Sequence, residues 1–200
     1  MRFINERIRS GDTLPQRSLV LGAGDGTETA YLISQGQDVI AVDMDSASAE
    51  FVQRAITERR DNPKYDPQRF GAVTNIQTSF QTVEVPEVGS IDLIWSASLP
   101  FVPRNELPAV LDRIETALAP DGYIVATFFG PNHPLAGQSG KAIYSESELV
   151  GLFGQNYDVV SVTRISPDGR LADGTHVKLD LFAVVARRRS SDAPSSPSSP

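Results

Sequence analysis

The chain has 200 residues, 40% of them hydrophobic, which is enough for one large domain with a continuous core. Its formal net charge of −7 argues against a nucleic-acid-binding surface, because such a surface needs a basic face. The sequence has no cysteine and two histidines, His133 and His176, so disulfides and thiolate ligands are excluded and we expect no metal site.

The amino-terminal segment does not resemble a secretory signal, because charges interrupt its apolar residues. The longest apolar run, residues 123–129, is far shorter than the roughly 20 residues of a membrane span. We therefore expect a cytoplasmic protein with no membrane partner. Residues 3–9 are expected to form one or two turns of a lid over a pocket.

Short β-rich runs alternate with helical patterns along the chain. The predicted strands cover residues 18–22, 38–43, 73–79, 91–96, 123–129, 157–165 and 176–186. Helices are predicted over residues 46–60, with Phe51, Val52, Ala55 and Ile56 facing inward, and over residues 105–119. A third begins at Ser145, which forms a capping box with Glu148. This alternation indicates parallel βαβ units.

The last two predicted strands break the alternation. Two Asp-Gly turns and no helical pattern separate them, so we expect an antiparallel hairpin. The sequence therefore predicts an α/β fold, a doubly wound, Rossmann-like sheet of seven mostly parallel strands with the last strand reversed. One domain is expected over residues 1–189, followed by a disordered Ser/Pro-rich tail at residues 190–200.

Three glycines, Gly22, Gly24 and Gly26, follow the first predicted strand directly. In a doubly wound sheet such a turn binds nucleotides, because glycine permits close backbone approach and the next helix offers free N–H groups. Asp43 ends the second strand, where a carboxylate can accept both ribose hydroxyls. The structural alternatives are a turn without ligand and a helix-capping role for Asp43.

The glycine spacing bears on the kind of nucleotide. The dinucleotide pattern G-x-G-x-x-G would need glycine at position 27, which is Thr27. No tyrosine in the chain has lysine four residues later, so a dehydrogenase acid–base pair of that kind is absent from the sequence. A nicotinamide-dependent oxidoreductase is therefore kept as an alternative and is not the leading hypothesis.

The segment "LVLGAGDGTETAYL" (19–32), followed by "VIAVDMD" (39–45), resembles the first motifs of class I S-adenosylmethionine-dependent methyltransferases. Three further segments, "IDLIWSASLPFVP" (91–103), "ALAPDGYIVATFFGP" (117–131) and "FAVVARR" (182–188), are similar to small-molecule methyltransferases related to the tellurite-resistance type. The resemblance covers about residues 17–188. It implies S-adenosylmethionine as cofactor and a small-molecule acceptor.

The same resemblance assigns the cofactor contacts. It implies that the methionine part is lined by Gly22, Ala23, Gly24 and Gly26, the ribose is held by Asp43, the adenine packs on Met44, and Ser96 lies near the sulfonium. Where relatives often place an acid for the adenine amine, this chain has Ser79 followed by Phe80. Relatives also have a histidine-rich last strand, whereas this chain has Lys178 and Asp180 there.

The acceptor side is expected after the fourth and fifth strands. Phe101, Phe129 and Tyr144 are candidates for an apolar pocket wall, with core packing as the alternative. His133 is the candidate general base, with a solvent-facing loop histidine as the alternative. A base is needed only for an acceptor that must lose a proton, so the catalytic residues stay undetermined. A non-catalytic module that binds S-adenosylmethionine is a further alternative, and we expect a monomer or homodimer.

Overall fold

The structure, a computed structural model, describes residues 2–10, 14–85, 87–138, 141–154, 156–170 and 174–189. In chain order its elements are α1 (Arg2–Ser10), β1 (Arg17–Leu21), α2 (Thr27–Ser34), β2 (Asp38–Asp43), α3 (Ser48–Arg60), a 3-10 helix (Pro67–Arg69), β3 (Val73–Gln77), β4 (Ile91–Ser96), a second 3-10 helix (Leu99–Phe101), α4 (Leu107–Glu115), β5 (Leu118–Phe129), α5 (Glu146–Phe153), β6 (Tyr157–Ile165), β7 (Asp168–Arg170), β8 (His176–Lys178) and β9 (Leu181–Arg188).

Seven of these strands form one sheet in the order β3-β2-β1-β4-β5-β9-β6. The strands β1 to β5 pair in parallel, while β9 runs antiparallel to both of its neighbours, β5 and β6. The predicted fold class is therefore confirmed, including the reversed last strand. The run predicted as one strand over residues 176–186 is two, because β8 pairs with β7 in a separate short hairpin.

Helices cover both faces of the sheet. On one face α4 and α5 pack on a core that includes Leu19, Ile94 and Phe128. On the other face α1, α2 and α3 pack on a core that includes Val20 and Trp95. Adjacent residues of β1 and β4 thus supply opposite cores, as expected for strands buried on both faces.

The helix α3 presents most of its predicted face to the sheet, with Phe51 as the exception. Phe51 was expected to point inward, but its side chain is 38% exposed, whereas Val52 and Ile56 are buried. The Phe51 ring instead lies under the Arg54 guanidinium, with 5.5 Å between the guanidinium carbon and the ring centroid. The prediction is confirmed for Val52 and Ile56 and wrong for Phe51, because the helix is oriented with Val52 and Ile56 toward the sheet and the Phe51 ring at the edge of that face.

The helix α1 packs on the sheet beside the amino-terminal half of β5. Ile4 is fully buried, and the Phe3 and Tyr123 ring centroids are 4.9 Å apart. The Tyr31 hydroxyl of α2 donates a hydrogen bond to the Asn5 side-chain oxygen at 2.7 Å. The segment expected to form one or two turns of a lid is therefore a helix of nine residues fixed to one face of the sheet.

The capping box predicted at the start of α5 is present, with Ser145 as its first residue. The predicted Ser/Pro-rich tail lies outside the described residues, so the tail and the domain boundary at residue 189 stay predictions. Within the described ranges, no helix combines the length and the hydropathy that a membrane span requires.

Candidate functional site

The three glycines after β1 all have positive φ, of 77°, 50° and 81° in chain order, yet they serve different purposes. A Cβ on Gly22 would lie 2.2 Å from the Ser98 hydroxyl oxygen, and a Cβ on Gly26 would lie 2.5 Å from the Val52 Cα. The nearest atom to a Cβ on Gly24 is 4.0 Å away. Gly26 thus permits α3 to pack against the turn, whereas Gly24 faces open space.

Asp43, at the carboxyl end of β2, is held against this turn by two backbone groups. The Gly24 N–H donates to one carboxylate oxygen at 2.8 Å, and the Asp45 N–H donates to the other at 2.9 Å. A carboxylate has about four acceptor positions, so each oxygen of Asp43 keeps capacity for one further donor. Two adjacent hydroxyls on a sugar match that capacity.

The backbone of the turn is anchored to the neighbouring strand. The N–H groups of Gly22 and Ala23 both donate to the Val42 carbonyl, at 2.8 and 3.0 Å. These two N–H groups are therefore engaged within the protein. A ligand at this turn could approach the backbone closely and contact the Asp43 carboxylate, but it could not accept hydrogen bonds from the N–H groups of Gly22 and Ala23.

A cavity of about 300 Å³ opens at the carboxyl ends of β1, β2 and β4. Its lining residues are Gly22, Asp43, Met44, Ser79, Phe80, Gln81, Ser98, Phe101 and Val102. The structure therefore brings together at one cavity Gly22, Asp43, Met44, Ser79 and Phe80 from the predicted cofactor set. Ala23, Gly24, Gly26 and Ser96 from that set lie outside its lining.

Sequence reasoning missed Gln81, Ser98 and Val102, which also line this cavity. The contact between Ser98 and Gly22 follows from the register of the sheet, since Leu21 pairs with Ser96. Each of the two residues lies just beyond its strand. The position of Ser98 thus depends on β1 and β4 being neighbours, which no local spacing in the sequence indicates.

Ser96 has a structural environment at the end of β4. Its side chain is 1% exposed, and its hydroxyl donates to the Leu21 carbonyl at 2.8 Å. The same oxygen accepts the N–H groups of Ser98 and Leu99 at 3.1 and 3.2 Å. The Ser96 hydroxyl therefore fixes the chain as it leaves β4 toward the cavity.

The three aromatic residues expected at the acceptor wall have separate roles. The Phe101 side chain is 51% exposed and lines the cavity, with its ring centroid 5.2 Å from that of buried Phe129. Tyr144 is buried against Phe128, with 5.7 Å between ring centroids, and the Arg104 guanidinium lies 4.5 Å from its ring. Phe129 thus supports Phe101, while Tyr144 belongs to the core.

His133 is 4% exposed and stacks on Phe129, with 4.0 Å between the ring centroids. The Leu135 N–H donates to His133 Nδ1 at 3.2 Å, which assigns the proton of the neutral ring to Nε2. Burial lowers the pKa of His133, and the nearby Asp180 carboxylate opposes that effect. Because the Nδ1 lone pair is engaged, this geometry favours a structural histidine over a general base.

The two residues that stand where relatives have histidines differ in environment. Lys178 is exposed, and its amine lies 3.7 Å from the exposed Asp168 carboxylate. Asp180 is 5% exposed and pairs with Arg164. Across the part of the chain that the structure describes, no group of three or more His, Asp or Glu side chains could hold a metal ion.

A family model described as "Methyltransferase domain" matches residues 19–126, which is more than half of the chain. The chain belongs to this methyltransferase family. The family binds S-adenosylmethionine, and its activity is the transfer of a methyl group from that cofactor. The matched region of the methyltransferase family includes the glycine turn, Asp43 and the cavity beside them, and the predicted family is confirmed.

Solved methyltransferases share the fold. TehB from Haemophilus influenzae superposes with a TM-score of 0.68 at 17% identity, over 94% of this chain and 62% of the TehB chain. The 1,6-didemethyltoxoflavin-N1-methyltransferase of Burkholderia thailandensis, crystallised with 1,6-didemethyltoxoflavin and S-adenosylhomocysteine, gives 0.64 at 22% identity over 92% of this chain and 75% of its own. The N-methyltransferase NodS of Bradyrhizobium japonicum superposes with a TM-score of 0.67 at 15% identity, over 94% of this chain and 96% of the NodS chain.

This chain thus spans less than two thirds of the length of the TehB chain. At identities of 15–22% these likenesses establish the fold and nothing finer. No curated protein sequence shows a significant match to the chain.

Proposed function

We propose that this chain transfers the methyl group of S-adenosylmethionine to a small-molecule acceptor, and that the cofactor binds in the cavity beside Gly22. The observation that carries this proposal is that Gly22 and Asp43 line one cavity at the carboxyl ends of β1 and β2. In open α/β sheets, ligands bind outside these strand ends. The membership of the methyltransferase family supports the identity of the cofactor.

The residues around the cavity fit an adenosine-bearing ligand. Asp43 would hold the ribose, since its carboxylate is oriented by two backbone N–H groups and keeps further acceptor capacity. Met44, Phe80 and Val102 supply apolar surface for the adenine. Gly24 leaves room beside the turn, because no atom lies within 4.0 Å of the position of its missing Cβ.

Ser79 is a polar group at the proposed adenine side, where the resemblance to relatives leads us to expect an acid. Its hydroxyl lies 2.8 Å from that of Thr82, so the two share a hydrogen bond. Ser96 would contribute by position and not by its hydroxyl, which is engaged by the backbone. The cofactor contacts we propose are therefore Gly22, Gly24, Asp43, Met44 and Phe80.

Methyl transfer from a sulfonium requires few catalytic side chains. When bound, S-adenosylmethionine supplies a methyl group activated by a sulfonium leaving group. The protein must hold the acceptor in line with that group and exclude water, and such positioning alone contributes several kcal/mol to a bimolecular reaction. An acceptor that reacts without losing a proton first needs no base, which agrees with the engaged Nδ1 of His133.

The solved relatives support a small-molecule acceptor. The Burkholderia enzyme was crystallised with 1,6-didemethyltoxoflavin, and NodS is an N-methyltransferase. On this basis we assign the chain to small-molecule methylation rather than to the methylation of a macromolecule.

Isothermal titration calorimetry tests the cofactor assignment. We expect S-adenosylmethionine and S-adenosylhomocysteine to bind the wild type, and NADH not to bind. Asp43→Asn should weaken both sulfur ligands at least about tenfold, because a neutral amide cannot accept from both ribose hydroxyls. Asp66→Asn is the matched control, since Asp66 is also a loop acid that accepts a backbone N–H, that of Gln68 at 3.0 Å. No heat with either sulfur ligand would refute the proposal.

A methyl-transfer screen tests the catalytic part of the proposal. Purified protein is incubated with donor labelled on the methyl group and with panels of thiols, amines, hydroxyl compounds and oxyanions. We expect transfer to at least one panel, and at least about tenfold slower transfer with Asp43→Asn at subsaturating donor. Tight cofactor binding with no transfer to any panel would instead indicate the non-catalytic binding module.

A further inference from the structure

The chain leaves β4 through one turn of 3-10 helix, and this turn presents two side chains to the cavity beside Gly22. Ser98 precedes the turn and Phe101 ends it, and the Phe101 N–H donates to the Ser98 carbonyl at 3.0 Å. Side chains three residues apart lie on the same side of a 3-10 helix. Ser98 and Phe101 accordingly both line the cavity, and neither is among the proposed cofactor contacts.

The Ser98 hydroxyl lies at the part of the cavity where the methyl group is expected. It packs directly against Gly22, in the space that a Cβ there would need. Adenine and sulfonium are attached to opposite sides of the ribose. Because Asp43 is assigned to the ribose and Met44 to the adenine, the sulfonium falls on the Gly22 side of the cavity. Among the described residues none hydrogen bonds to the Ser98 hydroxyl, which can therefore accept a hydrogen bond from a bound acceptor.

Phe101 offers a flat apolar surface at the mouth of the same cavity. Its side chain is 51% exposed, yet its ring is supported from below by buried Phe129, with 5.2 Å between the ring centroids in an edge-to-face arrangement. An exposed aromatic ring that is held in this way can stack on the ring of a ligand. The position of Phe101 therefore favours a planar acceptor.

A cation lies beside this ring. The Lys141 amine is 4.6 Å from the Phe101 ring centroid. The position of the partly buried Lys141 is fixed through the backbone, because the N–H of the next residue, Ala142, donates to the Pro100 carbonyl at 3.1 Å. No carboxylate of the described residues forms an ion pair with the Lys141 amine. A partly buried ammonium group without a counter-ion favours a ligand that carries a negative charge.

We propose that Ser98, Phe101 and Lys141 form the acceptor subsite of the cofactor cavity, and that the methyl acceptor is a planar aromatic amine bearing an anionic group. The inference rests on the proposed function and names the substrate class for that reaction. The Phe101 ring stacks on the acceptor, the Lys141 amine pairs with its anionic group, and the Ser98 hydroxyl accepts an N–H of the amine and directs its lone pair to the methyl group.

The cavity lining favours an amine as the nucleophile. Among the described lining residues the one ionisable side chain is that of Asp43, which is assigned to the ribose. A hydroxyl group needs a base to take its proton, whereas a neutral aromatic amine attacks with a free lone pair. That lone pair forms the bond to the methyl carbon, the bond from this carbon to sulfur breaks, and its electron pair stays on sulfur. The proton of the methylated nitrogen then leaves to water.

The cofactor has a carboxylate of its own, so two possible anionic partners of Lys141 have to be separated. S-adenosylhomocysteine carries this carboxylate, and 5′-methylthioadenosine lacks it. Because Lys141 is assigned to the acceptor, Lys141→Gln should leave the calorimetric affinity for both compounds unchanged. Weaker binding of S-adenosylhomocysteine alone would assign Lys141 to the cofactor and would overturn the inference.

Aminobenzoates probe the acceptor subsite directly. The ortho, meta and para isomers are titrated by calorimetry into protein saturated with S-adenosylhomocysteine, and each is compared with the uncharged aminobenzamide of the same geometry. We expect at least one aminobenzoate to bind, and its amide to bind at least about tenfold more weakly. Lys141→Gln should abolish this difference. Lys64→Gln is the control and should keep it, because Lys64 is exposed in the loop after α3.

Two further variants test the ring and the hydroxyl. Phe101→Leu should weaken the aminobenzoate and its amide alike, by about two- to tenfold, because it removes the flat surface and keeps an apolar side chain. Ser98→Ala should weaken the aminobenzoate but not benzoate, which has no amine to bind. Calorimetric binding of S-adenosylhomocysteine shows that each variant is folded.

The outcomes separate this inference from the proposed function. If S-adenosylhomocysteine binds but no aminobenzoate does, or if the amides bind as tightly as the aminobenzoates, the acceptor subsite is refuted and the cofactor site stands. Equal losses in Lys141→Gln and Lys64→Gln would also overturn the subsite. No binding of S-adenosylhomocysteine to the wild type would refute the proposed function instead.

Discussion

Asp180 and Arg164 form a bidentate ion pair that anchors the turn after β5. The Arg164 Nε donates to one carboxylate oxygen at 2.7 Å, and a terminal guanidinium nitrogen donates to the other at 2.9 Å. The second oxygen also accepts the Asn132 N–H at 2.8 Å, and the Asp180 backbone carbonyl accepts the Gly130 N–H at 2.8 Å. Asp180 thus holds both ends of the turn that leads to His133.

Asp180→Ala should destabilise the fold by about 1–3 kcal/mol, because the part-buried Asn132 N–H and the Arg164 guanidinium would both lose the buried carboxylate that they bond. Urea unfolding followed by circular dichroism measures the change. Asp168→Ala is the control, since Asp168 forms an exposed pair with Lys178 and should cause no measurable loss. Equal losses in the two variants would contradict the anchoring role of Asp180.

The same pair predicts a pH dependence. The Arg164 guanidinium, together with the Asn132 N–H, holds the pKa of Asp180 below its ordinary value although burial acts in the opposite direction. A depressed pKa in the folded state contributes stability above the unfolded pKa, near 3.9 for Asp. That contribution is lost as pH falls through the folded value. The wild type and Asp180→Ala should therefore converge in stability below about pH 4.

His133 predicts a second pH effect, nearer neutrality. Burial on Phe129 lowers the pKa of His133 against the opposing Asp180 carboxylate. Its contribution is thus complete above the unfolded pKa, about 6.5, and is lost as pH falls through the lower folded value. Below about pH 6.5 the unfolding free energy should fall less steeply in His133→Gln than in the wild type. His176→Gln removes the other histidine of the chain, at an exposed position, and is the control for the substitution itself.

Substitution of two of the glycines after β1 should affect different properties, the stability of the fold for Gly26 and the binding of ligand for Gly24. Gly26→Ala should cost more than about 2 kcal/mol, because the strain of a positive φ, itself about 1–2 kcal/mol, adds to a clash with the Val52 backbone. Gly24→Ala should cost about the strain alone, and it should weaken S-adenosylhomocysteine binding more than it weakens the fold. Urea unfolding and calorimetry, applied to both variants, separate these effects. A larger stability loss in Gly24→Ala would refute the assignment.

The start of α5 predicts an acid-labile cap. The Ser145 N–H donates to a Glu148 carboxylate oxygen at 2.8 Å, and this bond, with the Arg104 guanidinium, lowers the pKa of Glu148 to about 2. Ser145→Ala should cost about 1 kcal/mol at neutral pH. The Glu148 contribution should be present above about pH 4.3 and should disappear as pH falls toward 2. Glu148→Gln should remove this pH-dependent contribution to the unfolding free energy. Glu146→Gln, in the same helical turn, is the control for the loss of one carboxylate.

The presence and the direction of the strands could be predicted because these features have local causes. Apolar runs and glycine turns mark the strands, and the missing helix before the last strand indicates its reversal. The turn from Gly22 to Gly26 and the acid at position 43 were recognisable in the same way, since their spacing is set within one βαβ unit. These parts of the site need no knowledge of distant contacts.

The remaining features depend on contacts between distant segments. Phe51 and Val52 are adjacent apolar residues of α3, and their pattern does not indicate which one meets Gly26. Ser98 joins the cavity through the pairing of β1 with β4, and Tyr144 is drawn into the core by Phe128. Asp180 could be seen as a departure from relatives, but its partner Arg164 lies on another strand.

The placement of β9 between β5 and β6 has a consequence for how the chain acquires its structure during synthesis. In the sheet as described, β6 pairs with β9, which lies after it in the chain. The strand β6 therefore cannot join the sheet until β9, which is synthesised after it, pairs with both β5 and β6. Conditions that delay the pairing of β9 would leave strand edges free on β5 and β6, so such conditions should lower the yield of folded protein through aggregation.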